Sequence, residues 1–147
     1  MSTMAKRLLV TVAICLLAAS CGPKLPPNIK PTFPVSGELS VNGKPVADVT
    51  IVCENVQGAD AKNPTVSSAK TTADGKFAFS TYREGDGVPE GEYALTFSWR
   101  EYSNAKRSFI GADKLNGRYK DPKQSKVRVK VEKGKPVKLD KIELITK

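Results

Sequence analysis

From Phe33 onward, hydrophobic and polar side chains alternate with a period of two, the repeat of a β-strand with one face in a core. In Val35-Ser36-Gly37-Glu38-Leu39-Ser40-Val41, the residues Val35, Leu39 and Val41 share a face with Gly37, while Ser36, Glu38 and Ser40 face water. Asn42-Gly43 suits a tight turn with positive φ, and Pro45 suits a sheet edge. Val49, Ile51 and Cys53 then alternate with Thr50, Val52 and Glu54, so Cys53 reads as a small buried hydrophobe rather than a reactive thiol. Residues 57–64 are polar and turn-rich, a surface loop.

A short strand over 68–72 meets the turn Ala73-Asp74-Gly75-Lys76, after which Phe77, Phe79 and Thr81 share one face. This pattern predicts a β-hairpin with its aromatic side inward. Residues 83–91 are dense in turn formers and give way to Tyr93, Leu95, Phe97 and Trp99, which alternate with Ala94, Thr96 and Ser98 as the central core strand. The period fails over 103–125, and Phe109, Leu115 and Tyr119 are expected to anchor that excursion over one end of the sheet. It resumes over 126–131, with Val127, Val129 and Val131 inward. Val137 and Leu139 lie on one parity and Ile142 and Leu144 on the other, which predicts a bulge near Asp140 or Lys141.

About seven strands with short turns and no long helical stretch predict an all-β fold, a Greek-key β-sandwich over 34–147. Its expected core is Val35, Leu39, Val41, Val49, Ile51, Cys53, Phe77, Phe79, Tyr93, Leu95, Phe97, Trp99, Val127, Val129, Val131, Leu139, Ile142 and Leu144.

The first residues follow another logic. Lys6 and Arg7 precede an apolar run from Leu8 to Ala19, shorter than the roughly 20 residues that cross a bilayer, so 1–20 read as a signal peptide. Ala18-Ala19-Ser20-Cys21 resembles the bacterial lipobox, which implies cleavage before Cys21 and acylation of that cysteine. Pro23, Pro26, Pro27 and Pro31 then make 21–33 a stiff, extended tether. Of three cysteines, Cys15 leaves with the signal and Cys21 takes lipid, so Cys53 has no intrachain disulfide partner.

Composition narrows the chemistry. Histidine is absent, which removes the commonest neutral-pH general base and a common metal ligand; no catalytic residue, metal or cofactor is expected. The net charge is +9, from 24 basic and 15 acidic side chains. The basic residues are spread over many segments without aromatic platforms, so they favour solubility or anionic surfaces over nucleic acid.

Val35-Ser36-Gly37, Val41-Asn42-Gly43-Lys44-Pro45, Thr72-Ala73-Asp74-Gly75-Lys76-Phe77 and Pro89-Glu90-Gly91-Glu92-Tyr93 resemble the carboxypeptidase regulatory-like, transthyretin-like sandwich of small planctomycete lipoproteins. Leu115-Asn116-Gly117-Arg118-Tyr119-Lys120-Asp121-Pro122 matches a further stretch in those proteins. The resemblance implies a fold and no reaction. The related urate-pathway hydrolases rely on histidines, which this chain lacks.

The function expected from these features is a non-catalytic, lipid-anchored module of the bacterial cell envelope, exported to the periplasmic or outer-membrane side. Its partners would be membrane lipid through acylated Cys21 and an envelope protein or glycan, met by Arg83, Glu84, Asp86, Arg107, Asp113, Arg118, Tyr119 and Asp121. The alternative is a ligand carrier or enzyme using Tyr102, Arg107, Asp113, Arg118, Tyr119 and Asp121. One aspartate per turn falls short of the six to eight oxygens that calcium takes.

Overall fold

The structure, a computed structural model, describes residues 25–146; the expected signal peptide over 1–20, the expected lipidation site Cys21 and the start of the expected tether, with Lys147, lie outside the described residues. Among the described residues thirteen strands follow one another: β1 (Thr32–Phe33), β2 (Val35–Val41), β3 (Lys44–Pro45), β4 (Thr50–Asn55), β5 (Ser67–Lys70), β6 (Lys76–Ala78), β7 (Val88–Pro89), β8 (Gly91–Ser98), β9 (Glu101–Ser103), β10 (Ser108–Ile110), β11 (Arg128–Val131), β12 (Val137–Lys138) and β13 (Ile142–Leu144). The fold is all-β and built from several sheets, most of their pairings antiparallel. Several strands are only two residues long, so the ladder is more broken than seven regular strands would make it.

One sheet has the order β11-β8-β4-β5. The second centres on β2, which pairs antiparallel with β6 and β3 and parallel with β12 and β13. Ser36 pairs with both Ala78 and Lys138, so β12 runs along the edge of β2 opposite β6. Side chains from both sheets join one core, in which Leu39, Ile51, Phe79 and Leu95 are fully enclosed. Val137 faces Val35 while Ile142 faces Leu39, which leaves one extra residue at 139–141. This bulge follows from the parity change in the sequence and lets both apolar pairs face the core.

Strand β8 is central because small and large residues alternate along it. Tyr93, Leu95 and Phe97 enter the core, and the small Ala94 and Thr96 are buried as well, although alternation alone sets them outward. In register, Ala94 lies between Glu54 and Arg128, and the longer neighbours cover it. At Gly37 a Cβ would lie 2.7 Å from the Phe77 ring, so the missing side chain is what lets Phe77 cross β2 into the core.

Several expectations are corrected. Residues 68–81 do not form a single hairpin: β5 joins β4 and β6 joins β2, so this segment carries the chain from one sheet to the other. The two halves keep an isolated bridge at Ser68 and Ser80. Ser40 is buried, because the last strand covers it and its hydroxyl donates to the Glu143 carboxylate. Trp99, Val127 and Leu139 pack at the rim of the core, half-buried, where the sheets end. Phe109 is 45% exposed and anchors nothing; Leu115 and Tyr119 pack against the core. Within the proline-rich segment, Ile29 N–H bonds to Pro26 C=O at 2.9 Å, which turns the chain at Pro27–Asn28 instead of leaving it extended throughout.

Candidate functional site

The chain between β8 and β11 builds the most developed surface of the domain. Strands β9 and β10 pair as a short hairpin in which Phe109 faces Tyr102 across the ladder. Both rings are solvent-exposed and meet edge to face, with centroids 5.3 Å apart. Arg107 stands at the hairpin turn with φ of 48°, and Lys106 precedes it, so the tip is basic. At the hairpin base, the Lys114 ammonium lies 4.8 Å over the Trp99 ring, a cation–π contact.

Asp113 fixes this region. Its carboxylate is buried and accepts N–H bonds from Trp99 at 2.8 Å, Leu115 at 3.1 Å and Gly117 at 3.0 Å. Desolvation pushes its carboxyl up, but the three backbone donors and the Lys120 ammonium outweigh that and hold it below the usual carboxylate range. A carboxylate so engaged organises a loop; it does not present itself to a ligand. Asp86 does the same at 83–91, accepting N–H bonds from Thr81, Tyr82 and Arg83.

Tyr119 is half-buried, with its ring edge-on to Phe97 at 6.2 Å. Together with Arg118 and Asp121 it lines a cleft of about 510 Å3, floored by Leu95, Phe97 and Leu144. Asp121 itself caps a turn by accepting the Lys123 N–H at 2.9 Å. Glu143 stands at the same cleft, lowered below the usual range by the Ser40 hydroxyl, the Gly43 N–H and the Lys141 charge. Burial, with the Glu54 charge beside it, pushes the Cys53 thiol far up, so it stays protonated.

The expected contact residues therefore divide. Arg118, Tyr119 and Asp121 come together, while Arg107 and Tyr102 belong to the hairpin and Asp113 lies beneath both. Arg83, Glu84 and Asp86 belong to a separate loop, where Glu84 lines another cleft with Ser36, Lys70 and Lys76. Strand β8 starts just after β7 and runs toward the hairpin, its eight residues spanning about 23 Å. The N-terminal segment joins at the start of β8: β1 pairs with β7, and Lys30 bonds Asp60 at 2.6 Å and Tyr82 at 3.1 Å. Sequence reasoning named both loops as contacts; strand β8 lies between them in the chain. It also missed the ring pair of Tyr102 and Phe109, whose signal is an apolar residue on each arm of a short polar hairpin.

Among the described residues, no three acidic or cysteine side chains gather as metal ligands would, and no helix is long and apolar enough to cross a membrane. No protein-family model and no curated protein matches the chain. Among solved structures, a 9R-lipoxygenase from Cyanothece PCC8801 is similar over 78% of this chain, at 12% identity and a TM-score of 0.39. The chain spans 16% of that enzyme's length, and so loose an overlap bears on neither fold nor chemistry.

Proposed function

We propose that this chain is an exported lipoprotein, acylated at Cys21 and held in the bacterial cell envelope, whose domain binds a protein or glycan and catalyses no reaction. The domain itself is read as a transthyretin-like β-sandwich. Two features support that finer reading: the shared core between two sheets, and the glycine turns at Asn42-Gly43 and Asp74-Gly75.

One observation carries the function. The N-terminal segment joins one end of β8, and the exposed Tyr102–Phe109 pair stands at the other. An anchor at one end and wet aromatic rings at the opposite end suit display away from a membrane. Aromatic residues with an arginine beside them are the composition enriched at protein contacts.

Intact mass of the membrane-extracted chain tests the anchor. A chain beginning at Cys21 with a diacylglyceryl group supports it, and an unprocessed, unmodified chain refutes it. Sedimentation with native envelope fragments tests the hairpin. Tyr102→Ala with Phe109→Ala is expected to abolish co-sedimentation of a chain stripped of its lipid, and undiminished binding would refute the assignment.

A second reading, a carrier of a small ligand, is favoured by the cleft that Arg118, Tyr119 and Asp121 share. Native mass spectrometry of the extracted chain separates the two: a bound small molecule displaced by Tyr119→Ala supports the carrier.

A further inference from the structure

Strand β11 is the outer strand of its sheet. Strand β8 pairs one side of it, and no strand among the described residues pairs the other. Leu95 N–H bonds to Val127 C=O at 2.9 Å, so the alternation of an antiparallel ladder turns the backbone groups of Arg128 and Lys130 to the open side. An open edge of this kind is a template for another strand. Across the opening lies the bulged 139–141 stretch between β12 and β13. The gap is a cleft of about 320 Å3, and it runs into the larger cleft through Lys126, Val127 and Glu143, which line both.

The two faces of this opening differ in chemistry. On the outer face Lys126, Arg128 and Lys130 are exposed in a row; the far side of the gap is mixed in charge, with Lys141 beside Asp140 and Glu143, so the cationic row belongs to β11 itself. Lys126 and Arg128 make no ion pair among the described residues; Lys130 lies 3.6 Å from Glu132, which Lys135 also holds. On the inner face Val127 and Leu139 are half-buried apolar side chains at the mouth of the core.

We infer that the open edge of β11 accepts an extended peptide strand from a partner, one whose acidic residues alternate with apolar ones. Main-chain bonds to Arg128 and Lys130 supply the pairing, as in other strand additions. Acidic side chains on the outer face sit across from Arg128 and Lys130, and apolar ones on the inner face cover Val127 and Leu139. A second copy of β11 is a poor occupant, because it sets lysine and arginine against like charge. The cations that block self-pairing therefore select an acidic strand. This surface is separate from the Tyr102–Phe109 hairpin, and the inference holds whether or not Cys21 carries lipid.

The test uses the full chain in detergent with two labelled peptides, one alternating valine and glutamate and one alternating valine and lysine. Fluorescence anisotropy is expected to register binding of the glutamate peptide alone, and amide exchange to slow at Arg128 and Lys130. Arg128→Gln should weaken binding by roughly two- to fivefold. Arg128→Pro should abolish it, since proline removes an outward N–H while the bonds to β8 persist. Slow exchange across Tyr93–Phe97 verifies that each variant is folded. If the proline variant does not fold, Arg128→Gln and the exchange pattern decide. Equal binding of both peptides, or unchanged exchange at Arg128 and Lys130, overturns the inference. So does binding of polygalacturonate where the glutamate peptide fails, which would make the occupant a glycan.

Discussion

The hydroxyl of Tyr119 closes on the backbone of Ile145 in both directions, accepting its N–H at 3.0 Å and donating to its C=O at 3.2 Å. The loop between β8 and β11 is thereby fastened to the strand that completes the other sheet. Tyr119→Phe keeps the ring against Phe97 and loses both bonds. We expect a loss of about 1 kcal/mol in urea denaturation, with faster amide exchange at Ile145. Unchanged exchange there would show that the hydroxyl does not hold the strand.

Asp113 gives the fold an acid-sensitive point. Its folded-state carboxyl titrates below the unfolded one, so its stabilisation is complete above the unfolded value of about 4 and is lost as the pH falls through the folded value. Asp113→Ala leaves three backbone N–H groups without their acceptor, and we expect a loss of roughly 2–4 kcal/mol at pH 7. The variant should also lose less stability than the parent between pH 5 and pH 2, measured by urea midpoints.

The contact of Lys30 with Asp60 titrates separately. The Lys30 ammonium, together with the N–H groups of Lys62 and Asn63, lowers the Asp60 carboxyl to about 2. The ion pair therefore persists at mildly acidic pH and loosens only as the pH approaches 2. Carboxyl-detected NMR titration should find that midpoint, and Lys30→Ala should move it up toward the ordinary aspartate range.

Cys53 should be chemically silent. It is buried, and its thiol is held protonated by desolvation. A disulfide reagent at pH 8 is expected to label it only on unfolding, so the labelling rate measures global opening. Rapid labelling of the folded chain would contradict its placement in the core.

Much of this fold is written in local parity. The alternation in β2, β8 and β11 picks out the large apolar side chains that enter the core, though not the buried Ser40, Ala94 and Thr96, and the parity change between Leu139 and Ile142 locates the bulge to within a residue. Partnership between distant strands is not local. The hidden Ser40 depends on Glu143, and the route of 68–81 from one sheet to the other depends on which strand each half meets. The candidate site was legible in its residues and not in its layout. Arg118, Tyr119 and Asp121 are close in sequence and converge, whereas 83–91 and 103–125 are divided by the length of β8. The role of Asp113 depends on the Trp99 N–H fourteen positions away, although Asp113 with Asn116-Gly117 is a recognisable turn signal.

The parallel seating of β13 on β2 brings together Ser40 and Glu143, 103 positions apart. A nascent chain holds β2 long before β13 exists to cover it, so the entropy of closing that loop falls due late. Such high contact order predicts folding on the millisecond-to-second scale. Until then the apolar face of β2 is bare, and a chaperone that recognises extended apolar segments would find its substrate in Val35, Leu39 and Val41.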